Sequence, residues 1–438
     1  SDMRVRARDF EMEKFYAALD AVRNPANGQI VCAVSLTSNA SLYPGCVPMN
    51  ILGPNSITKE ALDYVNSTSF YRAINETNDV RFDISGEPFD IWAGPVSVAF
   101  GAEYRDQTLN VTSNSNPSAR PPFTGLRGIT RRDAFVSLNV GPTYGKQTVK
   151  EVFGETVIPL INSESFIVSK LNLNGAIRYT DYKTSGGVTT WKVGGDLQFN
   201  EGGPLNGFRL RATRSRDIRA PFLYDLFASR NSSPQGVFDP HTNTFSATNV
   251  VGGGNPNLNP EIGDTFTVGL VYQPDYIPGF SASVDYWNVR LEGALATVSR
   301  DEILRDCEES NGTGSSCSLV IRPLPFSDRT PDNFPTEIRA VAQNLGFLQR
   351  RGVDFELSYR NDIGSGQFSS RLLGTYLLDA VTQNTSKSVP LQAAGVGFYN
   401  ARFQGTLFLY YDIDNWSVNL TEGFVGPFQY SNQFVYQV

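Results

Sequence analysis

Covalent chemistry needs a nucleophile, a base or a set of metal ligands, and this sequence offers little of each. His241 is the single histidine and sits in a Pro/Asn/Thr-rich stretch. It is read as lacking partners, so it provides neither a metal site nor a catalytic triad. The acids Asp301, Glu302, Asp306, Glu308 and Glu309 cluster around Cys307. A glycosidase needs two carboxylates at a set distance in space, which a sequence does not give. Ser299-Arg300-Asp301-Glu302 has the form of a capping box opening a short helix, so the ordinary reading of these acids is a solvated helix face. Gly252-Gly253-Gly254 lacks the spacing of a phosphate-cradling loop and reads as a flexible loop. The four cysteines fall into two local pairs, Cys32 with Cys46 and Cys307 with Cys317, without the CxxC spacing of a zinc site. An even count inside polar stretches points to two disulfides and an oxidising compartment, with four free thiols as the alternative. No cofactor or metal is expected.

The remaining chemistry is charge, and it is carried on strands. In Gly207–Phe227, Phe208, Leu210 and Ala212 alternate with Arg209, Arg211 and Thr213. That is the period of a strand with one apolar and one polar face. Two arginines pointing into a packed core would be very costly; pointing into a water-filled lumen they are tolerable. Pro221 cannot donate to a ladder, so this strand ends near Arg219. The pattern recurs. Leu171, Leu173, Ile177 and Tyr179 alternate with Asn172, Asn174 and Arg178; Trp191, Val193, Leu197 and Phe199 alternate with Lys192, Asp196 and Gln198. Arg178, Lys192, Asp196, Arg209 and Arg211 are therefore candidate lumen residues, with a solvated or ion-paired wall as the bland reading of each.

About twelve strands are expected, the first around Asp79–Ser85 and the last around Trp416–Phe424. Residues 1–20 are ambiguous. Short connections at 86–95, 161–165, 200–207, 273–279, 361–367 and 412–415 alternate with mostly long ones, notably 21–78, 106–146, 217–263 and 290–337. Short turns at one end and long loops at the other are the asymmetry of an outer-membrane β-barrel. Tyr272, Tyr276, Trp287, Tyr359, Tyr410, Tyr411 and Trp416 lie near strand ends, where interfacial girdles belong. Composition agrees: 12% aromatic residues and 39 glycines favour turn-rich β-structure. There is no run of 18 apolar residues for a spanning helix, and a mean hydropathy of −0.25 does not exclude a barrel whose strands are apolar on one face only. A net charge of −7 argues against a nucleic-acid partner. The competing reading is a soluble all-β protein, which leaves the charges on every inner face unexplained.

Several segments resemble the TonB-dependent outer-membrane receptors. They are Arg214–Phe227 (RSRDIRAPFLYDLF), Gly254–Leu270 (GNPNLNPEIGDTFTVGL), and Asn344 with Gly352–Glu356 (GVDFE). Ile91–Arg105 and Gly45–Gly53 are similar to a subgroup from environmental proteobacteria. The resemblance extends over about 21–438. It implies an all-β fold: an antiparallel transmembrane β-barrel, part of a twenty-two-strand barrel, with long extracellular loops and short periplasmic turns. Residues 1–438 are then all barrel, expected without the plug domain, the TonB-gripped box, the first strands or the last strands; Phe434–Val438 reads as part of a loop. The implied function is active import of a bulky, scarce nutrient, such as a siderophore-iron complex or an oligosaccharide, across a Gram-negative outer membrane. The implied partners are the TonB complex, outer-membrane lipid and an unidentified cargo. Aromatic residues read as lying in loops, Tyr43, Tyr64, Phe70, Tyr71, Phe222 and Tyr224, could stack on that cargo or pack the loops. The alternatives are a passive porin or adhesin barrel and, further off, a soluble glycosidase-like enzyme.

Overall fold

Alternation along the chain becomes one antiparallel meander. The computed structural model describes residues 1–116, 123–127, 134–163, 167–200, 205–383 and 389–430. Its main sheet has 14 strands. In chain order these are β1 (Asp2–Phe10), β2 (Asn66–Ile91), β3 (Gly94–Ser113), β4 (Thr143–Asn162), β5 (Val168–Tyr182), β6 (Gly186–Phe199), β7 (Phe208–Arg219), β8 (Glu261–Tyr272), β9 (Phe280–Thr297), β10 (Ala342–Ile363), β11 (Gly366–Gln383), β12 (Phe403–Ile413) and β13 (Trp416–Val425). Each pairs with the next, and the short strand Leu391–Gln392 adds to β11. Among the described residues β1 and β13 are not paired with one another, so the sheet is open.

Register sets the two faces. Leu197, Leu210, Leu270, Val284 and Phe355 form one continuous cross-strand row. Val80, Phe82, Ile84, Val193, Leu270 and Val284 share this outward face and are exposed. A broad apolar face without a cover is unstable in water and suited to lipid. The opposite face carries charge in pairs. Arg209 donates to Asp196 at 2.6 Å, and Arg211 forms a two-pronged bond with Asp285 at 2.9 and 2.7 Å. Two base turns depend on glycine. Gly207 and Gly279 have φ of +82° and +78°, and a Cβ would run into the carbonyl oxygens of Gln273 and Arg360 respectively.

Two loop modules stand on the sheet. The first holds α1 (Met12–Leu19), α2 (Lys59–Val65) and the Cys32–Cys46 disulfide. A short helix, α3 (Leu223–Phe227), follows β7. The second module is a four-stranded sheet made from the hairpin 231–239/244–252 with 337–339 and 320–321. There α4 (Arg300–Glu309) and the Cys307–Cys317 disulfide close over a core of Val237, Ile303, Leu304, Leu319 and Ile338. Ser299 caps α4, its hydroxyl accepting from the Glu302 N–H at 3.3 Å.

The structure corrects the sequence reading in several places. The ambiguous N-terminus is the strand β1, followed by α1. The long loop read at 21–78 stops at α2, and β2 begins at Asn66. The tight connection at Gly86-Glu87-Pro88 is instead a register shift inside β2, which tolerates a proline that cannot donate. The other long loops shorten likewise, because β3, β4, β7, β8 and β9 extend past their apolar stretches. Backbone pairing continues along polar segments such as Asn110–Thr112, and pairing without apolar alternation leaves no sequence signal. Trp287 lies on the inner face across from Gly352, where the missing side chain leaves room for the indole; Tyr410 is also inward by register. Tyr272 does face outward at the base, stacked on Phe208 at 4.2 Å. The turn residues Glu164 and Glu201–Pro204, the strand start at Phe166 and the end Phe434–Val438 lie outside the described residues.

Candidate functional site

A proline that ends β7 also begins the site. After Arg219 the chain turns at Pro221 into α3, and Asp225 accepts from the Phe222 N–H at 3.0 Å. Leu226 is buried, and the Phe227 ring fills the space that a Cβ on Gly145 would need. The helix is thereby held over the inner face of β3 and β4. Beneath it is a cavity of about 670 Å³. Its walls are Tyr71, Leu109, Val111, Val149 and Tyr182, with Arg105 and Gln147 among the polar lining. Phe222 and Tyr224 stand at its edge, 65% and 54% exposed, with the Arg219 guanidinium 6.0 Å from the centre of the Phe222 ring.

A second, polar cavity of about 390 Å³ adjoins it through the shared Tyr182. Glu151 lies there and is buried. It accepts from Arg105 Nη2 at 3.5 Å, Arg178 Nη1 at 3.4 Å and Thr180 Oγ1 at 3.2 Å. Burying a lone carboxylate would be costly; two guanidiniums and a hydroxyl offset that. Arg178 also lies over the Phe153 ring at 5.0 Å. Lys192 and Asp217 line the same cavity. Lys192 is exposed and forms no ion pair among the described residues. An apolar chamber with an aromatic edge, leading into a charged one, suits a bulky ligand with ring faces and ionic groups.

The structure thus gathers Tyr71, Phe222 and Tyr224 at one cavity and Arg178 and Lys192 at the next. Tyr71 and Phe70 lie on β2 rather than in a loop. Asp196, Arg209 and Arg211 pair elsewhere on the inner wall. Tyr43 and Tyr64 belong to the N-terminal module, around a separate cavity with Glu11, Glu13 and Lys14. Tyr43 is buried, and its hydroxyl is 2.9 Å from Glu13 Oε1 and 2.8 Å from the Thr124 carbonyl. Burial first, then the Glu13 carboxylate, pushes the Tyr43 phenol well up; burial and the Glu11 and Glu13 charges push Tyr64 up. Sequence reasoning missed Arg105, Glu151 and Tyr182. They stand on three strands, β3, β4 and β5, and their convergence across those strands is what local alternation does not show.

His241 is not without partners. It is buried, with Nδ1 2.7 Å from Glu308 Oε2, Nε2 3.0 Å from the Asp328 carbonyl, and its ring stacked on Phe326 at 4.0 Å. These partners are 67 and 87 residues away along the chain, beyond any local pattern. Asp306 is buried too, so the acids of α4 are not simply a solvated face. Burial alone would raise the Glu308 carboxyl; hydrogen bonds from His241 and Arg329 hold it below the usual range instead. Among the described residues no group of three or more His, Cys, Asp or Glu is placed to hold a metal ion.

A charged face, an apolar face and loop modules at one end of a long antiparallel meander are consistent with the wall of a β-barrel. The family model described as "TonB dependent receptor-like, beta-barrel" matches residues 27–437. The chain belongs to this family. Members are transporters rather than enzymes, which fits a wall that offers charge and aromatic surface. The siderophore receptor PirA from Acinetobacter baumannii superposes with a TM-score of 0.51 at 15% identity, over 87% of this chain and 44% of that one. A mutant of the ferric enterobactin receptor PfeA from Pseudomonas aeruginosa gives 0.49 at 16%, over 85% and 43%. At such identity the likeness to the first speaks for the fold alone. The chain spans under half the length of either structure. No curated protein matches the chain.

Proposed function

We propose that this chain forms part of the wall of an outer-membrane receptor that imports a bulky, scarce nutrient, with energy delivered through TonB to a plug domain. The observation that carries the proposal is the paired cavity on the inner face, directly beneath α3 at the loop end of the sheet. It is where a ligand descending between the loops meets the wall. Its contents, exposed aromatic rings above and guanidiniums below, favour a cargo with ring systems and anionic groups. A ferric siderophore has both, and PirA is described as a siderophore receptor. An oligosaccharide would use the aromatic edge alone.

The intact receptor in its native outer membrane, carrying F222A and Y224A together, tests this. Binding of a radiolabelled ferric catecholate and of a labelled oligosaccharide is measured beside energised uptake. Loss of two stacked rings is expected to weaken the true cargo by about tenfold or more, with uptake falling in parallel. Unchanged binding of every cargo that the wild type takes up would remove the cavity from the capture surface. Uptake that persists after the proton gradient is collapsed would favour a passive pore.

A further inference from the structure

We propose that Arg214, with Arg216 and Arg290, forms a site on the lipid-facing side of the wall for the phosphate of a lipid headgroup in the loop-side leaflet. This rests on the membrane placement proposed above. The parity of β7 decides the face. Arg209 and Arg211 point inward with their Asp196 and Asp285 partners. Arg214 and Arg216 have the opposite parity, that of Leu210 and Ala212. Arg214 pairs in register with Val193 of β6 on one side and Phe266 of β8 on the other. The row below it is Gly195, Ala212 and Val268, and the next is Leu197, Leu210, Leu270 and Val284. The row above is Trp191, Arg216, Asp264 and Arg290. Arg214 therefore sits at the upper edge of the apolar band, toward the loops and away from the base pair Phe208–Tyr272.

Its neighbours have direct partners, whereas Arg214 shares only the field of the Asp264 carboxylate that Arg216 already binds. Arg216 makes a two-pronged bond to Asp264, both contacts 2.9 Å, and Arg290 meets Glu292 at 2.7 Å. Arg214 is exposed and forms neither a hydrogen bond nor an ion pair among the described residues. Three guanidiniums face two carboxylates, so this patch keeps one positive charge. A cation flanked by Val193 and Phe266 is costly in hydrocarbon unless its stem lies along those side chains and its head reaches an anion at the interface. The anion that lipid presents at that level is phosphate, whose oxygens match the guanidinium fork. A soluble partner has no access to a position bordered by the lipid-facing rows, which commits the site to a headgroup.

The test uses the intact receptor reconstituted into phosphatidylcholine vesicles. Spin-labelled phosphatidylglycerol and spin-labelled phosphatidylcholine report which lipid stays at the protein surface. The wild type is expected to enrich phosphatidylglycerol, and R214Q to lower that selectivity by about fivefold, the worth of one interfacial cation. R81Q makes the same charge change on the inner face and is expected to leave selectivity unchanged. Equal selectivity in wild type and R214Q, or an equal fall in R81Q, would overturn the site. Inorganic phosphate added to the detergent-solubilised receptor supplies the other arm. Phosphorus-31 line broadening that R214Q abolishes would mean a free-phosphate site and would overturn the lipid assignment. Flotation with the vesicles is scored separately, since failure to insert strikes at the membrane placement rather than at Arg214.

Discussion

Glu151 shows what a charged sheet face asks of a single side chain. Its carboxylate is buried while Arg105 and Arg178 are 31% and 40% exposed, so solvent screens much of the attraction on the arginine side. Glu151→Ala is expected to lower the unfolding free energy by about 1–2 kcal/mol, less than a fully buried pair would cost. Urea unfolding of the refolded barrel, followed by tryptophan fluorescence, measures it. A change under about 0.5 kcal/mol, the usual size of an ordinary surface substitution, would mean the three bonds contribute nothing beyond solvation. The alternation of such residues is legible wherever apolar neighbours frame them: Arg178, Lys192, Asp196, Arg209 and Arg211 share the sheet face opposite the Leu197–Leu210–Leu270 row. Glu151 is not legible in this way, because Val149 and Phe153 share its face while Val152 lies on the other, so no clean alternation frames it. Trp287 was misplaced because its position near the end of a strand suggested a girdle, while the register that turns it inward depends on Gly352, far along the chain.

At the scale of elements, the module between β7 and β10 makes its own stability claims. Asp239 and Arg322 are almost wholly buried and joined by two bonds of 2.8 and 2.7 Å. Burial would raise the Asp239 carboxyl, but Arg322, with Thr242 and the His241 N–H, holds it below its ordinary 3.8. Glu308 is likewise held below its ordinary 4.5. A carboxyl lowered by folding stabilises fully above its unfolded value, and that contribution is lost as pH falls through the folded one. Protection factors in 231–252 and 300–309, each taken against intrinsic exchange at the same pH, should therefore hold steady from neutrality to about pH 5, then fall below about pH 4 while the main sheet stays protected. Loosening at neutral pH would contradict this, as would simultaneous loss of both sheets. Replacing Cys307 and Cys317 by serine removes a crosslink spanning 10 residues. It should destabilise the same module by about 2–3 kcal/mol and leave exchange in β8 and β9 unchanged. The helix of this module was legible through its Ser299 N-cap, which is local. Its sheet was not, since the pairing of 249–251 with 337–339 and of His241 with Glu308 joins segments that carry no shared period.

For the whole molecule the question is which side of the sheet meets lipid, and adjacent residues of β9 can answer it. Val284 points outward and is 48% exposed; Ser283 points inward toward Glu356 by register. In a soluble β-protein an exposed valine tolerates arginine, and the change would be nearly neutral. In a barrel the same substitution places a cation against hydrocarbon, two rows below the Arg214 edge and across from Leu270 and Phe355. Val284→Arg is therefore expected to cost about 2–4 kcal/mol when the receptor unfolds from phosphatidylcholine vesicles. Ser283→Arg enters a solvated, charged face beside the Glu356–Arg371 pair and should stay within about 0.5 kcal/mol of wild type. The two side chains are one residue apart on one strand, so backbone propensity and strand position are held nearly constant. What differs is the face. Equal costs at both positions would mean that both faces meet the same solvent, and the lipid-facing assignment of the Leu197–Leu210–Leu270–Val284 row would have to be abandoned. A large cost at Val284 alone would fix the sidedness of the wall, and with it the inward placement of the cavity under α3.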